Sequence, residues 1–406
     1  MDPVLQTTIS FLVALIASFW AHPRILKLAK LKEITDNPNA RKLQQSPVPI
    51  LGGIAVMFGI LAGLLIASAF GKVDHLTAVL ISASLMVYIG SLDDILGLSP
   101  VARLIIESLM ALLLILSGNF IINNFHGLLG IYSIPVWVAI PLTMLTIVGV
   151  INAINLIDGV DGLCSGFCIV ACLLFARILS EVGDWQWTVL ALVCAGALVP
   201  FFLHNVFGKE SHIYIGDGGT LLMGTILSAF VIEILHNESP ACRFVEINTP
   251  DMSLIALVLS ILAVPVGDCL RVMGWRIIKG ESPFSADKTH LHHLFIEAKF
   301  GHIVTALTII IFNLLVVLAW YVSYRLGATQ SLQVLIVIVM GCLMTGGFYS
   351  WITFNRKRGT RLYRHFCWLG VRAHFKQTSL WIVLQKMIDA GAGEGTRTLT
   401  HKGTRS

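Results

Sequence analysis

The sequence predicts an all-α fold, a polytopic membrane bundle of ten or eleven transmembrane helices with the N-terminus outside and the C-terminus cytoplasmic. Composition is the first reason. Of 406 residues, 56% are hydrophobic and 13% charged, with mean hydropathy +0.82, whereas soluble domains average about 45–50% apolar and about 25% charged residues. That balance excludes a water-soluble enzyme of ordinary surface, and equally a disordered or collagen-like chain. Spacing is the second reason. A span needs about 20 apolar residues, and apolar runs recur near 4–21, 49–70, 75–91, 101–117, 134–154, 162–180, 186–206, 217–235, 253–277, 303–324 and 331–354. Charge is the third. The net charge is +5, and 23 of the 28 Lys and Arg fall on one side of this alternation. The other side holds Lys72, Arg177, Arg243 and Arg325, and Arg103 lies inside a span. By the positive-inside rule the basic side is cytoplasmic.

Each element follows in order. Residues 4–21 read as a retained first span rather than a signal peptide, because the positive charges follow the apolar run and no small-residue cleavage site is evident. The runs at 75–91 and 162–180 are among the shorter of the set. Within the fourth span, Arg103 and Glu107 stand four apart and read as an intrahelical ion pair; Asp268 and Arg271 in the ninth invite the same reading. Cys164, Cys168 and Cys172 share one face of the sixth helix. They read as small packing residues, not as a disulfide framework or metal ligands. Only Cys242 falls in an exterior loop. Residues 1–355 form the transmembrane domain with its cytoplasmic loops, and 356–390 a basic cytoplasmic tail. The stretch 391–406 is Gly/Thr-rich, without periodicity, and is expected to be disordered.

The acidic residues are the most informative feature. Asp93 and Asp94 close the third span. Asn152, Asn155, Asp158 and Asp161 sit in NAINLIDGVDGL at the end of the fifth, and Asp217 lies in IGDGG at the start of the eighth. Asp287, Lys288, His290, His292 and His293 fill SPFSADKTHLHH after the ninth. Apolar runs and basic residues alone set the topology, yet all four clusters land on its cytoplasmic side. Taken singly, Asp93–Asp94 is also a water-facing helix end, Asp217 a helix N-cap, and the histidines an interfacial loop. Zinc is disfavoured, since no Cys accompanies the histidines. Ionisable groups at membrane depth cost about 2.5–3.5 kcal/mol each and mark functional sites. Converging aspartates would repel one another unless protonated or joined by cations. Oxygen-only ligands favour a hard ion, Mg²⁺ or Mn²⁺. Such a site beside basic loops suits a phosphate-bearing substrate. Gly159, Gly162, Gly216, Gly218 and Gly219 flank the aspartates and would let such a ligand approach the backbone.

Five stretches carry a resemblance: DNPNARKLQQSPVPILGGI (36–54), SLDDILGLS (91–99), NAINLIDGVDGLCSG (152–166), HNVFGKESHIYIGDGGT (204–220) and SPFSADKTHLHHL (282–294). In this order and on this face they resemble the polyprenyl-phosphate N-acetylhexosamine-1-phosphate transferases of glycosyltransferase family 4, over about residues 1–355. The spacing His290–Leu291–His292–His293 resembles the undecaprenyl-phosphate GlcNAc-1-phosphate transferase branch more than the branch with three consecutive histidines. Gly218–Gly219 stands where many members have Ala-Gly, and the basic tail is longer than the family pattern.

The resemblance implies a reaction between UDP-HexNAc and undecaprenyl phosphate that releases UMP and starts a lipid-linked surface polysaccharide. It implies a bacterial inner-membrane setting, a site facing the cytoplasm, and no nucleic-acid partner; a homodimer is left open. It implies Asp217 as the Mg²⁺ ligand with Asp94 close by, and Asp93 as acceptor of any lipid-phosphate proton. Asn155, Asp158 and Asp161 would orient the nucleotide and pyrophosphate, with Asn152 beside them in the binding set. Asn205 and Tyr214 would meet the uracil, Lys42 and Arg271 phosphates, and His290, His292, His293 and Asp287 the sugar phosphate. A direct and a covalent route both stay open. A multi-span transporter with an acidic cytoplasmic-side site is the alternative of another class, although no inverted repeat is evident.

Overall fold

A computed structural model describes residues 2–36, 47–71, 73, 76–118, 120–283, 289–373 and 378–400. The long helices are α1 (Pro3–Leu31), α2 (Gly52–Phe70), α3 (Thr77–Leu96), α4 (Pro100–Gly118), α5 (Val136–Leu156), α6 (Leu163–Glu181), α7 (Trp185–Phe207) and α8 (Gly216–Leu235). There follow a short α9 (Pro240–Asn248), then α10 (Leu254–Ile261), α11 (Ala263–Ile278) and α12 (Leu291–Glu297). The chain continues through α13 (His302–Arg325), α14 (Gln330–Cys342), a π-helical turn at Leu343–Gly347, α15 (Phe348–Lys357), α16 (Arg361–Arg372) and α17 (Ser379–Thr400). Ten helical segments among the described residues are long and apolar enough to cross a membrane, with α14, the π turn and α15 forming one of them; the bent pair α10–α11 supplies an eleventh. The chain is a multi-pass membrane protein, as the apolar runs predict.

Helix α8 is the hub. Its membrane window is 94% buried, consistent with a helix that is apolar all round. It packs against α2, α3 and α5, while α1, α2 and α7 form a second packed group. Glycine makes the close approach of α8 possible at two points. A Cβ on Gly53 of α2 would come within 2.3 Å of the Gly219 amide, and one on Gly90 of α3 within 2.5 Å of the Gly218 amide. Neither position has room for a side chain, so the first turn of α8 is seated on two neighbouring backbones. That seat fixes Asp217.

The ninth apolar run, read from sequence as one span over 253–277, is instead two helices bent by 75° at Leu262. Pro265 has no N–H to give the carbonyl four residues back, that of Ile261. Asn313 of α13 takes over: its Nδ2 donates to Ile261 O at 2.8 Å and its Oδ1 accepts from Val264 N at 3.0 Å. A side-chain amide thus satisfies both sides of the break, as membrane depth requires.

Two small antiparallel ladders, unforeseen in the sequence, sit outside the bundle core. β1 (Thr35–Asp36) pairs with β2 (Val48–Pro49), and β3 (Asn124–Leu128) with β4 (Ile131–Ser133). The first adjoins the end of the bundle where α1, α3, α5 and α7 finish and α8 starts; the second lies at the opposite end. At the C-terminus, α17 carries helical backbone through Gly391–Thr400, where composition predicts disorder. Extending a helix already nucleated and docked is easier than starting one.

Candidate active site

Four separate pieces of chain converge on one cavity of about 730 Å³ at the end of the bundle where α8 begins. The C-terminus of α3 brings Asp93 and Asp94, and α5 with the turn after it brings Asn152, Asn155, Asp158 and Asp161. The 208–215 loop and the start of α8 bring Tyr214 and Asp217, and the segment into α12 brings His290, His292 and His293. Asn205, at the end of α7, also lines it.

The centre is organised by a residue that sequence reasoning had assigned elsewhere. Arg103 does not pair with Glu107. Its Nη2 donates to Asp217 Oδ2 at 2.8 Å and also contacts Asp93, and its Nη1 donates to Asn155 Oδ1 at 3.2 Å. Glu107 is buried and accepts instead from Asn152 Nδ2. Asn155 Nδ2 donates to Asp217 Oδ1 at 2.6 Å and to Thr220 Oγ1 at 2.8 Å. Asp94 lies across the N-terminus of α8, accepting from the Asp217 amide at 2.9 Å and the Gly218 amide at 3.3 Å, where helix N–H groups have no partner of their own. Asp93 is buried and accepts from Leu98 N at 2.7 Å. The carboxylates are therefore held by a guanidinium, an amide and a helix end.

Asp161 and Asp158 sit three apart in one turn and differ electrostatically. Burial alone would raise Asp161, but hydrogen bonds from His212 and His302 hold its carboxyl well below the usual range. His302 Nδ1 lies 2.7 Å from Asp161 Oδ2, and His212 Nε2 3.3 Å from Oδ1. The Asp158 side chain is open to the cavity itself, yet sunk away from bulk water. Desolvation first, then Asp217, Asp161 and Asp94, push it up to about 8. His292 is driven down by burial first, then by His293 and His290.

Other expected residues take supporting places. Asn205 is a strut: its Oδ1 accepts from Gly162 N at 2.7 Å and its Nδ2 donates to Ile213 O at 3.0 Å, tying the 157–162 turn to the 208–215 loop. Arg271 does not line the cavity. It donates to Asp268 Oδ1 and Thr289 O, each at 2.6 Å, and stacks over Tyr349 at 4.0 Å. The intrahelical pair with Asp268 is thus present. Asp268 also accepts from the Leu291 amide and lies 2.9 Å from His290 Nδ1, so it orients the first histidine. Lys42 and Asp287 lie outside the described residues. Arg103, Arg276, His302 and Asp36 line the cavity without having been singled out as site residues, and His212 reaches it through Asp161. An Arg inside a span is a signal that could have found the first of these.

The family description glycosyl transferase family 4 matches residues 76–235, a stretch that contains Asp93, Asp94, Asp158, Asp161 and Asp217. An undecaprenyl-phosphate alpha-N-acetylglucosaminyl 1-phosphate transferase of Pasteurella multocida (strain Pm70) is 30% identical over 305 residues, covering 73% of this chain and 79% of the relative. The chain belongs to glycosyl transferase family 4. Enzymes of the same name from Escherichia coli O157:H7 and Salmonella typhimurium are 29% identical over 281 residues and 27% over 297. They cover 68% and 71% of this chain, and 72% and 75% of their own.

For this family 4 member the donor set around Asp217 bears on a metal. Among the described residues no three His, Cys, Asp or Glu side chains form a ready-made metal cage. Mg²⁺ does not ask for one: it keeps several waters and binds through one or two carboxylates plus substrate phosphates. Asp94 and Asp217 are such a pair, all oxygen, with Asp94 accepting from the amide of Asp217 itself. Asp158 and Asp161 bring further carboxyl groups to the same cavity, and Arg103 contacts only Asp217 and Asp93 among the five predicted aspartates. The residues present fit a hard divalent cation.

Proposed function

We propose that this protein transfers a HexNAc-1-phosphate, GlcNAc-1-phosphate foremost, from UDP-HexNAc to undecaprenyl phosphate with release of UMP. One observation carries the reading. The five predicted aspartates, from three separate segments, line one cavity at the end of the bundle where α8 begins, two of them on Arg103, in a chain whose relatives are named as undecaprenyl-phosphate alpha-N-acetylglucosaminyl 1-phosphate transferases.

In the proposed reaction an oxygen of the lipid phosphate attacks the β-phosphorus of the nucleotide sugar. A new P–O bond forms as the bond to the bridging oxygen breaks, and UMP leaves with that electron pair. A phosphate monoester has a second pKa of about 6, so the acceptor is largely dianionic at neutral pH and needs little help from a base. Asp93, held by Arg103 and the Leu98 amide, is better suited to anchoring the guanidinium than to taking a proton. Arg103 sits where charge develops between the two anions and needs no rearrangement to meet it. Asp158, protonated near neutrality, offers an O–H to a phosphoryl oxygen, and ionised Asp161 orients His212 and His302. Asp217 and Asp94 would hold Mg²⁺, which supplies charge neutralisation for a pyrophosphate when bound. Tyr214 and the His290–His293 segment form the remaining walls, where the base and the sugar phosphate fit.

The test uses the full-length protein in detergent with undecaprenyl phosphate and a panel of UDP-HexNAc donors. Expected are UMP release and a sugar–pyrophosphoryl–lipid, both lost with EDTA and regained with Mg²⁺. Asp217→Asn should reduce turnover by at least about a hundredfold. Absence of UMP release with every donor would reject the transferase reading and favour the transporter.

A further inference from the structure

The tail carries an acid whose place the catalytic reading does not explain. Residues 356–406 contain 11 Lys and Arg but only two acids, Asp389 and Glu394. Asp389 turns toward the 208–215 loop. Its carboxylate accepts from the Lys209 amide at 3.2 Å, from the Ser211 amide at 3.1 Å and from Ser211 Oγ at 2.7 Å. Ser211 is fully buried. Around this contact α17 packs on α1 and α7, with Trp381 against Phe207 at 4.7 Å and Ile388 buried. From the other side Lys30 donates to Glu210 O at 2.8 Å. The loop is therefore gripped between the first and the last helices of the chain.

The gripped loop is the one that serves the cavity. One residue after Ser211, His212 meets Asp161, and two further on Tyr214 lines the wall. Tyr214 and Ile215 then accept from the Gly52 and Gly53 amides, registering the loop on α2 just before Asp217. A carboxylate satisfying three donors at once fixes the loop more firmly than neutral hydrogen bonds would.

We propose that Asp389 is a positioning residue for the active site and that α17 is a clamp holding the 208–215 loop in register with Asp161. This rests on the cavity being the transferase site, so the test includes a readout that does not depend on turnover. Amide hydrogen exchange is followed by mass spectrometry on the full-length protein in detergent, wild type against Asp389→Ala. Peptides covering 208–212 and the 157–163 turn should exchange roughly tenfold faster in the variant. Unchanged exchange there overturns the clamp whatever the activity. In turnover assays Asp389→Ala should raise the KM for the UDP-sugar roughly three- to tenfold with kcat altered less. Asp389→Asn, which keeps one acceptor oxygen, should fall between. Faster exchange with wild-type KM and kcat also overturns the proposal, because the loop would then be clamped to no purpose at the site. Ser211→Ala removes a single donor and guards against misfolding; it should move both readouts in the same direction by less. If wild type turns over no donor, the transferase reading fails by itself, while the two exchange windows still decide whether α17 controls the cavity.

Discussion

Arg103 shows what a residue's sequence neighbours can hide. Four residues from Glu107 on one helix, it has the spacing of a local ion pair, worth about 0.2–0.5 kcal/mol on an exposed helix. The guanidinium instead reaches three other helices, touching Asp217, Asp93 and Asn155, and Asp93 is buried. Removing one partner from such a set leaves a buried charge uncompensated, at about 3–5 kcal/mol. Arg103→Ala should therefore lower thermal stability in detergent and cut turnover at least about a hundredfold. Arg103→Lys keeps the charge but not the fork; it should recover stability more than turnover. Wild-type turnover in either variant would remove Arg103 from the site. The aspartates were legible in sequence because a charge at a span end has few inexpensive explanations. His212 and His302 were not: each is an ordinary interfacial histidine until folding sets it against Asp161, 51 and 141 residues away.

Among the elements, the apolar runs located the spans well, since length and hydropathy are local properties. The break at Leu262 escaped, because an apolar run looks the same straight or bent. Its traces were a proline and a lone asparagine inside separate spans, and only their meeting gives them meaning. The bend matters to the site: α11 presents Asp268, which orients His290, and its Met273 and Arg276 line the cavity. Asn313→Ala strips both amide bonds from the break, a loss of about 1–2 kcal/mol on the membrane scale. The unfolding midpoint should fall by about 2 °C, and turnover with it. Adding Pro265→Ala returns an N–H to the Ile261 carbonyl and lets the two helices straighten. The double variant should regain stability without regaining turnover. Recovery of both would mean that the bend does not serve the site.

Taken whole, the molecule is asymmetric in charge along the membrane normal. The aspartate cavity opens at the end where α8 begins, and 23 of the 28 Lys and Arg fall in the loops and tail assigned to that end. An acidic site ringed by basic loops would attract a polyanionic substrate, such as the proposed nucleotide sugar, more strongly than the acids alone would allow. By the positive-inside rule the same imbalance is expected to direct insertion, since basic loops resist translocation. Orientation then follows as a prediction that sequence and structure make jointly. Lys32, exposed at the end of α1, adjoins the cavity end, and Glu238, exposed between α8 and α9, marks the opposite end. In a background with the accessible Cys342 and Cys367 replaced by Ser, Glu238→Cys should react with a membrane-impermeant maleimide in intact cells. Lys32→Cys should react only after permeabilisation. The reverse pattern would place the cavity outside the cell, away from any nucleotide pool, and would overturn the orientation and the donor proposal together.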